Sequence, residues 1–362
     1  MNGTEEEKTS QTEFEKLKEI VCENFQIEEA LIKHNIPTFY LKQPQETKQA
    51  FLKLLEMLEP MNLVAYLRRH NGKIILKVFP KPSVKPSKIL INWLLLFATV
   101  GTTFTTGYVL ASNLTTVGGS IDPIFGGITF TVAIMTILGV HEMGHKITAN
   151  KNKIEATPPY FIPGPPPVLG GGIGTFGAII IQKSLPPNRD ALFDIGMSGP
   201  IASFVAATIV TAVGLTMSVP AKPVEEAVTL PAPLIMIFIG ELLRFYKLIP
   251  ICPQDKVLYL HPVGFAGWVG MVVTMLNLLP AAMLDGGHIA RSLVGDKVRA
   301  ILTTISIILL LLSNFWVMAL FVLFLAMQRH PGPLDDVSSL STKRKATAII
   351  LVAIFVLSFP LF

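Results

Sequence analysis

The residues of this chain with the clearest chemistry are His141-Glu142-Met143-Gly144-His145, which close an apolar run that begins at Val132. On a helix, His141 and His145 lie one turn apart on the same face, so both imidazoles can grip one metal ion. Glu142 then stands beside the metal-facing side, within reach of a water held there, as a general base. Imidazole ligands favour zinc among the common metals, and this pair alone leaves iron or cobalt open. The bland alternative is two surface histidines at a helix end. The setting opposes it: no ionisable residue separates Pro123 from Val140, and ionisable groups inside such a segment are costly and by default functional.

A second apolar segment carries Asn277-Leu278-Leu279-Pro280 and ends in Leu284-Asp285-Gly286-Gly287-His288. Between Pro262 and Gly287 the only ionisable residue is Asp285. Pro280 breaks the helix, and Gly286-Gly287 lets the backbone extend and approach its neighbour closely. A lone carboxylate in such a place needs a partner, and two histidines on zinc are one protein ligand short of a two-histidine, one-carboxylate catalytic set. The competing reading is an aspartate that caps the following helix. His288, three residues on and beside a basic segment, reads as a supporting or surface group.

The elements that must position these groups follow from composition and patterning. With 362 residues, 51% hydrophobic and 15% charged, and a mean hydropathy of +0.54, the chain reads as an integral membrane protein. Its net charge of +5 is modest. The lysines and arginines cluster beside apolar segments, which indicates membrane orientation and no nucleic-acid partner. Cys22 and Cys252 lie in unlike regions and suggest no disulfide framework. Met1 to Lys8 is acidic and polar, neither a signal peptide nor an Arg-rich transit peptide.

Residues 1–80 read as a soluble α+β module. Thr12 with Glu15 forms a capping box, and Phe14, Leu17 and Val21 make one helical face. Residues 25–41 give one or two strands, and Phe51, Leu54, Leu55 and Leu58 a second helix stopped by Pro60. Leu63–Arg69, Asn71-Gly72 and Lys73–Phe79 predict a β-hairpin, since Asn-Gly supplies the positive φ angles of a tight turn. Residues 81–88 are a basic, proline-rich linker.

Residues 89–362 form the membrane domain. Spans are expected at 89–112, 123–149, 195–218 and 262–284, with two short passes within 301–327 broken at Ser313-Asn314, and a last span at 346–362. That makes an α-helical integral membrane protein of about seven transmembrane helices. The lysines before the first span place the N-terminal module in the cytoplasm. By parity, residues 231–249 lie on or dip into the membrane. Between Pro158 and Gln182, six prolines precede Gly170, Gly171, Gly172, Gly174 and Gly177. Helix is excluded there. A short hairpin or re-entrant loop at the membrane face is expected, tolerable only if buried in protein or lining a wet cavity.

Taken together, His141-Glu142-Met143-Gly144-His145, the Gly-rich hairpin, and Asn277-x-x-Pro280-x-x-x-x-Asp285-Gly286-Gly287 resemble the site-2 protease family of intramembrane zinc metalloproteases. The resemblance covers about residues 89–335 and implies a three-helix catalytic core over 123–290. It implies one Zn2+ per chain held by His141, His145 and Asp285, with Glu142 as the catalytic acid/base and Asn277 assisting the substrate carbonyl. It also implies transmembrane protein substrates in the lipid bilayer. His330-Pro331-Gly332-Pro333-Leu334-Asp335-Asp336 looks like the archaeal and plastid branch, and the lack of a transit peptide favours a prokaryotic, archaeal cell membrane. Neither a PDZ nor a CBS domain is visible. A transporter with an ion site is the main alternative, because broken helices with midplane ionisable groups also build such sites. No repeat relates the two halves of the chain, and a nonligand Glu inside the His pair suits hydrolysis better. A catalytically dead binding protein is the weaker alternative, since every catalytic residue type is present.

Overall fold

Amphipathic patterning and one tight turn shape the N-terminal part of the chain. The structure, a computed structural model, describes residues 3–83, 86–169, 171–224, 229–249, 252–253, 255–313, 315–328 and 330–361, with side chains from Thr12 onward. Lys85, Gly170, Asn314 and Arg329, which enter the expectations above, lie outside the described residues. The chain divides into two units: Met1–Lys85 with Leu185–Leu192 and Pro331–Ser341, and the remainder.

In the first unit, α1 (Gly3–Asn24), β1 (Ile27–Lys33), β2 (Ile36–Leu41), α2 (Lys48–Leu58), β3 (Leu63–His70) and β4 (Lys73–Pro80) follow in order. The sheet runs β1-β2-β4-β3, antiparallel throughout. Asn71 and Gly72, at φ 49° and 80°, close the expected β3–β4 turn. Leu17, Val21, Phe39, Phe51, Leu54, Leu67 and Leu76 form the core between helices and sheet. The capping box is a correction: α1 begins at Gly3, so Thr12 and Glu15 lie inside the helix. The strong helix formers Glu5, Glu6, Glu7 and Lys8 carry it upstream.

This unit also takes in two distant segments. The Leu67 N–H donates to the Leu334 carbonyl at 2.9 Å, and the Asp336 N–H donates to the Leu67 carbonyl at 3.1 Å. Leu334 and Asp335 in turn donate to the carbonyls of Pro186 and Pro187 at 2.8 and 2.9 Å. Leu334 enters the core, with Leu185 and Val337 packed against it. The edge of β3 is thereby bridged at Leu67, whose N–H and carbonyl are both paired.

The second unit is mostly helical. It contains α3 (Ile89–Thr116), α4 (Pro123–Lys151), β5 (Tyr160–Pro163), β6 (Thr175–Ile179), α5 (Arg189–Thr216, which enters this unit at Phe193), β7 (Val219–Ala221), α6 (Leu234–Phe245), β8 (Val257–Tyr259), α7 (Pro262–Leu278), α8 (Asp285–Leu312), α9 (Trp316–Ala326) and α10 (Thr342–Ser358). Among the described residues, α3, α4 and α5 are long and apolar enough to cross a membrane, and α7 and α9 are shorter apolar helices. The expected span over 262–284 is therefore shorter, ending at Leu278 before Pro280. The break near Ser313 is present: α8 stops at Leu312 and α9 starts at Trp316. With 12 residues, α6 is about 18 Å long, too short for a ~30 Å hydrocarbon core.

α4 packs on α3 and on α7, and α7 meets α5 backbone to backbone. A Cβ on Gly214 would fall 2.2 Å from the Gly264 Cα, so only glycine permits that approach. The proline- and glycine-rich stretch forms the expected hairpin, with Tyr160 opposite Ile179 and Ile162 opposite Gly177. Its ladder reaches past β6, where Gln182 bridges Ala156. The small β7–β8 pair was not legible in the sequence, because strands of three residues carry no periodicity.

Candidate metal centre

α4 has strong start and stop signals. The Asp122 side chain accepts the Phe125 N–H at 2.9 Å, Pro123 occupies the first turn, and Lys151 stands in the last. Between them the helix carries His141, Glu142 and His145, all buried. Ten residues separate His141 from Lys151, the last of the helix (151 − 141), so it lies about 15 Å from that end at ~1.5 Å per residue.

Asp285 is the first residue of α8, where the helix dipole favours a carboxylate. It does not cap that helix: the N-cap is Leu284, with no side-chain cap bond. Its Oδ2 lies 3.2 Å from His141 Nε2 and 3.3 Å from His145 Nε2. The two Nε2 atoms are 3.1 Å apart. Three donor atoms from two distant segments thus form a nearly equilateral triangle.

The far side of each imidazole is held. The His145 Nδ1–H donates to the Ile195 carbonyl at 2.8 Å, so in the neutral imidazole Nε2 carries the lone pair. His141 Nδ1 faces Ser203 Oγ at 3.1 Å, and Ser203 Oγ lies 2.9 Å from Thr274 Oγ1. Thr274 donates to the Gly270 carbonyl at 2.8 Å. These partners orient the rings and aim both Nε2 atoms at Asp285.

The geometry fits a metal ion. His141, His145 and Asp285 offer one ligand atom each, all within 4.8 Å of one another. A tetrahedral site with bonds of ~2.0–2.1 Å separates its ligand atoms by about 3.3 Å, close to the 3.1–3.3 Å edges found here. Two neutral imidazoles and a carboxylate are a zinc-type donor set with room for a fourth ligand. α5 leaves room for the His145 ring: a Cβ on Gly199 would lie 2.2 Å from its Nε2.

Glu142 is buried beside this group without joining it. Its carboxylate meets the backbone N–H of Ile180, just past β6. Ile181 spends both backbone groups on Thr157: its N–H donates to Oγ1 and its carbonyl accepts the Thr157 N–H, each at 3.0 Å. By strand alternation, Ile180 turns its own groups to the opposite, unpaired side of the hairpin. Asn277 sits half-buried in the last turn of α7, and among the described residues its amide has no hydrogen-bond partner. It therefore does not cap carbonyls freed by Pro280, and no bond joins it to the His–Asp group. His288 pairs with His330, Nδ1 to Nε2 at 2.8 Å. Burial and the neighbouring cationic groups push the His330 pKa down to about 2, so that ring is neutral.

Sequence reasoning did not reach Ser203, Thr274, the Ile195 carbonyl or Gly199. A signal was present in part: Gly196, Gly199 and Ser203 recur at helical spacing, although small residues in a span ordinarily indicate only close packing. Gly199→Ala drives a methyl group into the His145 ring, 2.2 Å from Nε2, and would displace that imidazole. We expect the purified variant to lose its zinc on dialysis, as Asp285→Asn also should, with parental helical content by circular dichroism. One tightly held equivalent of zinc in either variant would remove that residue from the centre.

Comparison with known proteins bears on the identity of this site. A profile described as Peptidase family M50 matches residues 129–313, just over half of the chain. Over 237 residues the chain is 32% identical to "Probable zinc metalloprotease EGY1, chloroplastic" of Oryza sativa subsp. japonica, covering 62% of this chain and 39% of that protein. The corresponding Arabidopsis thaliana protein is 31% identical, covering 62% and 41%. "Probable zinc metalloprotease EGY2, chloroplastic" of Arabidopsis thaliana is 29% identical, covering 67% and 43%. The chain thus spans about two-fifths of the length of these curated relatives. No solved structure matches it. These plant proteins fit the plastid-type branch expected above. The matched stretch holds both the His141–His145 helix and the Asp285 turn, and the chain belongs to peptidase family M50, the site-2 protease family.

Proposed function

We propose that the chain is an intramembrane zinc metalloprotease that hydrolyses a peptide bond within or near the membrane-spanning segment of membrane proteins. The observation that carries this reading is the convergence of His141 Nε2, His145 Nε2 and Asp285 Oδ2, with the nonligand Glu142 inside the His pair, on a 29-residue apolar helix. The names of the relatives agree with it. Apolar α7, α9 and α10, with the kinked α8, would raise the crossings to about seven. Lys81 and Lys88 before α3, and Lys151 and Lys153 after α4, favour a cytoplasmic N-terminal domain. We take residues 1–80, completed by 185–192 and 331–341, as that domain, 81–88 as linker and the rest of 89–362 as the membrane protease domain.

Zinc, when bound by His141, His145 and Asp285, supplies a Lewis acid and acidifies water toward neutrality. Glu142 accepts the proton of the attacking water and returns it to the leaving amine nitrogen. The Ile180 N–H holds the Glu142 carboxylate in place during both transfers. The unengaged Asn277 amide offers an N–H to the scissile carbonyl as negative charge develops on its oxygen. A transmembrane helix has its carbonyls hydrogen-bonded internally, so the substrate must unwind before cleavage. The unpaired side of Thr175–Ile179 can then receive the extended segment as an added strand, satisfying backbone groups that have no water to turn to.

The direct test is to incubate purified protein with a membrane-protein substrate, with and without a zinc chelator, beside Glu142→Gln. We expect the chelator to stop cleavage, and the variant to retain zinc while losing about 10²–10⁴-fold in turnover. Chelator-insensitive cleavage, or full activity in Glu142→Gln, contradicts the proposal. Asn277→Ala should lower turnover ~10- to 1000-fold with zinc and melting temperature retained, as for a lost oxyanion donor. If zinc or folding falls together with activity, Asn277 is a packing residue. Proline at Ile180 should slow cleavage without disturbing the hairpin, because it removes the donor that holds Glu142. Proline at Ile181 should lower thermal stability first, through the lost bond to Thr157. A parental cleavage rate with proline at Ile180 would show that its N–H does not hold the base.

A further inference from the structure

The turn that delivers Asp285 contains an unusual residue. Between α7 and α8 the chain runs Leu279-Pro280-Ala281-Ala282-Met283-Leu284, and Ala282 adopts φ +47°. A residue with a Cβ visits this left-handed region at an energetic cost and persists there only when its surroundings hold it. Nothing in the residue types announces such a conformation, since a glycine would be the ordinary choice.

Both backbone groups of Ala282 are gripped from α8. Its N–H donates to Thr303 Oγ1 at 3.0 Å, and its carbonyl accepts from Arg299 Nη1 at 3.2 Å. Arg299 and Thr303 lie four residues apart, on one helical face, and both are buried. Thr303 Oγ1 also donates to the Arg299 carbonyl at 2.9 Å, which leaves its lone pair directed at Ala282. Arg299 is steadied by Asp296, whose Oδ1 accepts from Nε at 3.1 Å and Nη2 at 2.9 Å.

The fold brings these residues back to the turn through a kink. Gly295, at φ 82° and ψ −178°, interrupts α8, so Arg299 and Thr303 belong to its second half while Asp285 opens the first. The turn also bears directly on the start of α8. A Cβ on Gly287 would lie 2.4 Å from the Ala282 carbonyl oxygen, and one on Gly286 would lie 2.2 Å from that of Leu278. Asp285 therefore has no slack relative to Ala282.

We propose that Arg299 and Thr303 are positioning residues for the metal centre: they clamp the left-handed Ala282 turn and so aim the Asp285 carboxylate at His141 and His145. They touch neither substrate nor metal. The inference rests on the reading of these three residues as the metal ligands.

The test measures zinc affinity of the full chain in detergent by competition with a chromophoric chelator, alongside thermal melting of the metal-free protein. Thr303→Val keeps the shape of the side chain and removes its hydrogen-bonding oxygen. Removal of a supporting partner weakens metal binding ~10- to 100-fold, and we expect a loss of that size, with Thr303→Ser restoring the parental value. In an Asp285→Asn background, Thr303→Val should add almost nothing, because the residue it positions no longer serves. Ala282→Gly accepts positive φ freely and should shrink the penalty of Thr303→Val. It also provides a second route should Thr303→Val fold poorly. Parental affinity in folded Thr303→Val overturns the clamp, as does a full additive loss on top of Asp285→Asn. A parent that takes up no divalent metal overturns instead the metal-site reading beneath it.

Discussion

Three lone pairs aimed at one point in the interior of an apolar helix bundle set the terms for this protein. The nitrogen–nitrogen and nitrogen–oxygen edges of 3.1–3.3 Å between His141, His145 and Asp285 bring three ligand-type atoms to the spacing of a tetrahedral site. The low local dielectric strengthens their attraction to a dication. The arrangement has the geometry of a preformed ligand set. It must be held by groups that do not touch the ion, and much of the surrounding structure serves that end.

Each ligand is held in a different way. His145 is fixed by the Ile195 carbonyl, and His141 by the chain of hydroxyls from Ser203 to Thr274. Gly199 contributes by having no side chain. α5 thus supplies a carbonyl, a gap and a hydroxyl along one face, while supplying no ligand. Asp285 depends on a turn, and that turn on Arg299 and Thr303 from beyond a kink. A helix end is a suitable place for the carboxylate, because the dipole stabilises its ionised form.

The first unit shows a different economy. Its sheet would end in an exposed β3, and the segments near Pro186 and Leu334 bridge that edge at Leu67 with backbone hydrogen bonds. The run from His330 to Asp336, which resists interpretation as an isolated motif, has a physical explanation here. Leu334 fills the core, Asp335 Oδ1 accepts the N–H groups of Val337 and Ser338, and Asp336 pairs with Arg189. The domain is consequently assembled from three stretches of chain, although its helices and hairpin are encoded in one.

What the sequence determined by itself is what depends on local pattern. The His141–His145 helix, its apolar setting, the Asn71-Gly72 hairpin, the Gly-rich hairpin after Pro158 and the break near Ser313 are all written in spacing, turn chemistry and hydropathy. The candidate ligands were legible too, because an isolated carboxylate and an isolated His pair each leave a need the other can meet. Local pattern misjudged the start of α1, where charged helix formers outweighed a capping signal. The tertiary structure alone decided which atoms support the ligands. A carbonyl at Ile195, a hydroxyl at Ser203 and a left-handed alanine at Ala282 have no signature in residue type, since backbone groups are common to every residue and a buried serine or threonine satisfies itself locally in many helices. Their roles arise only when packing brings distant segments within hydrogen-bonding distance, and such contacts depend on position in space, which no spacing along the chain records.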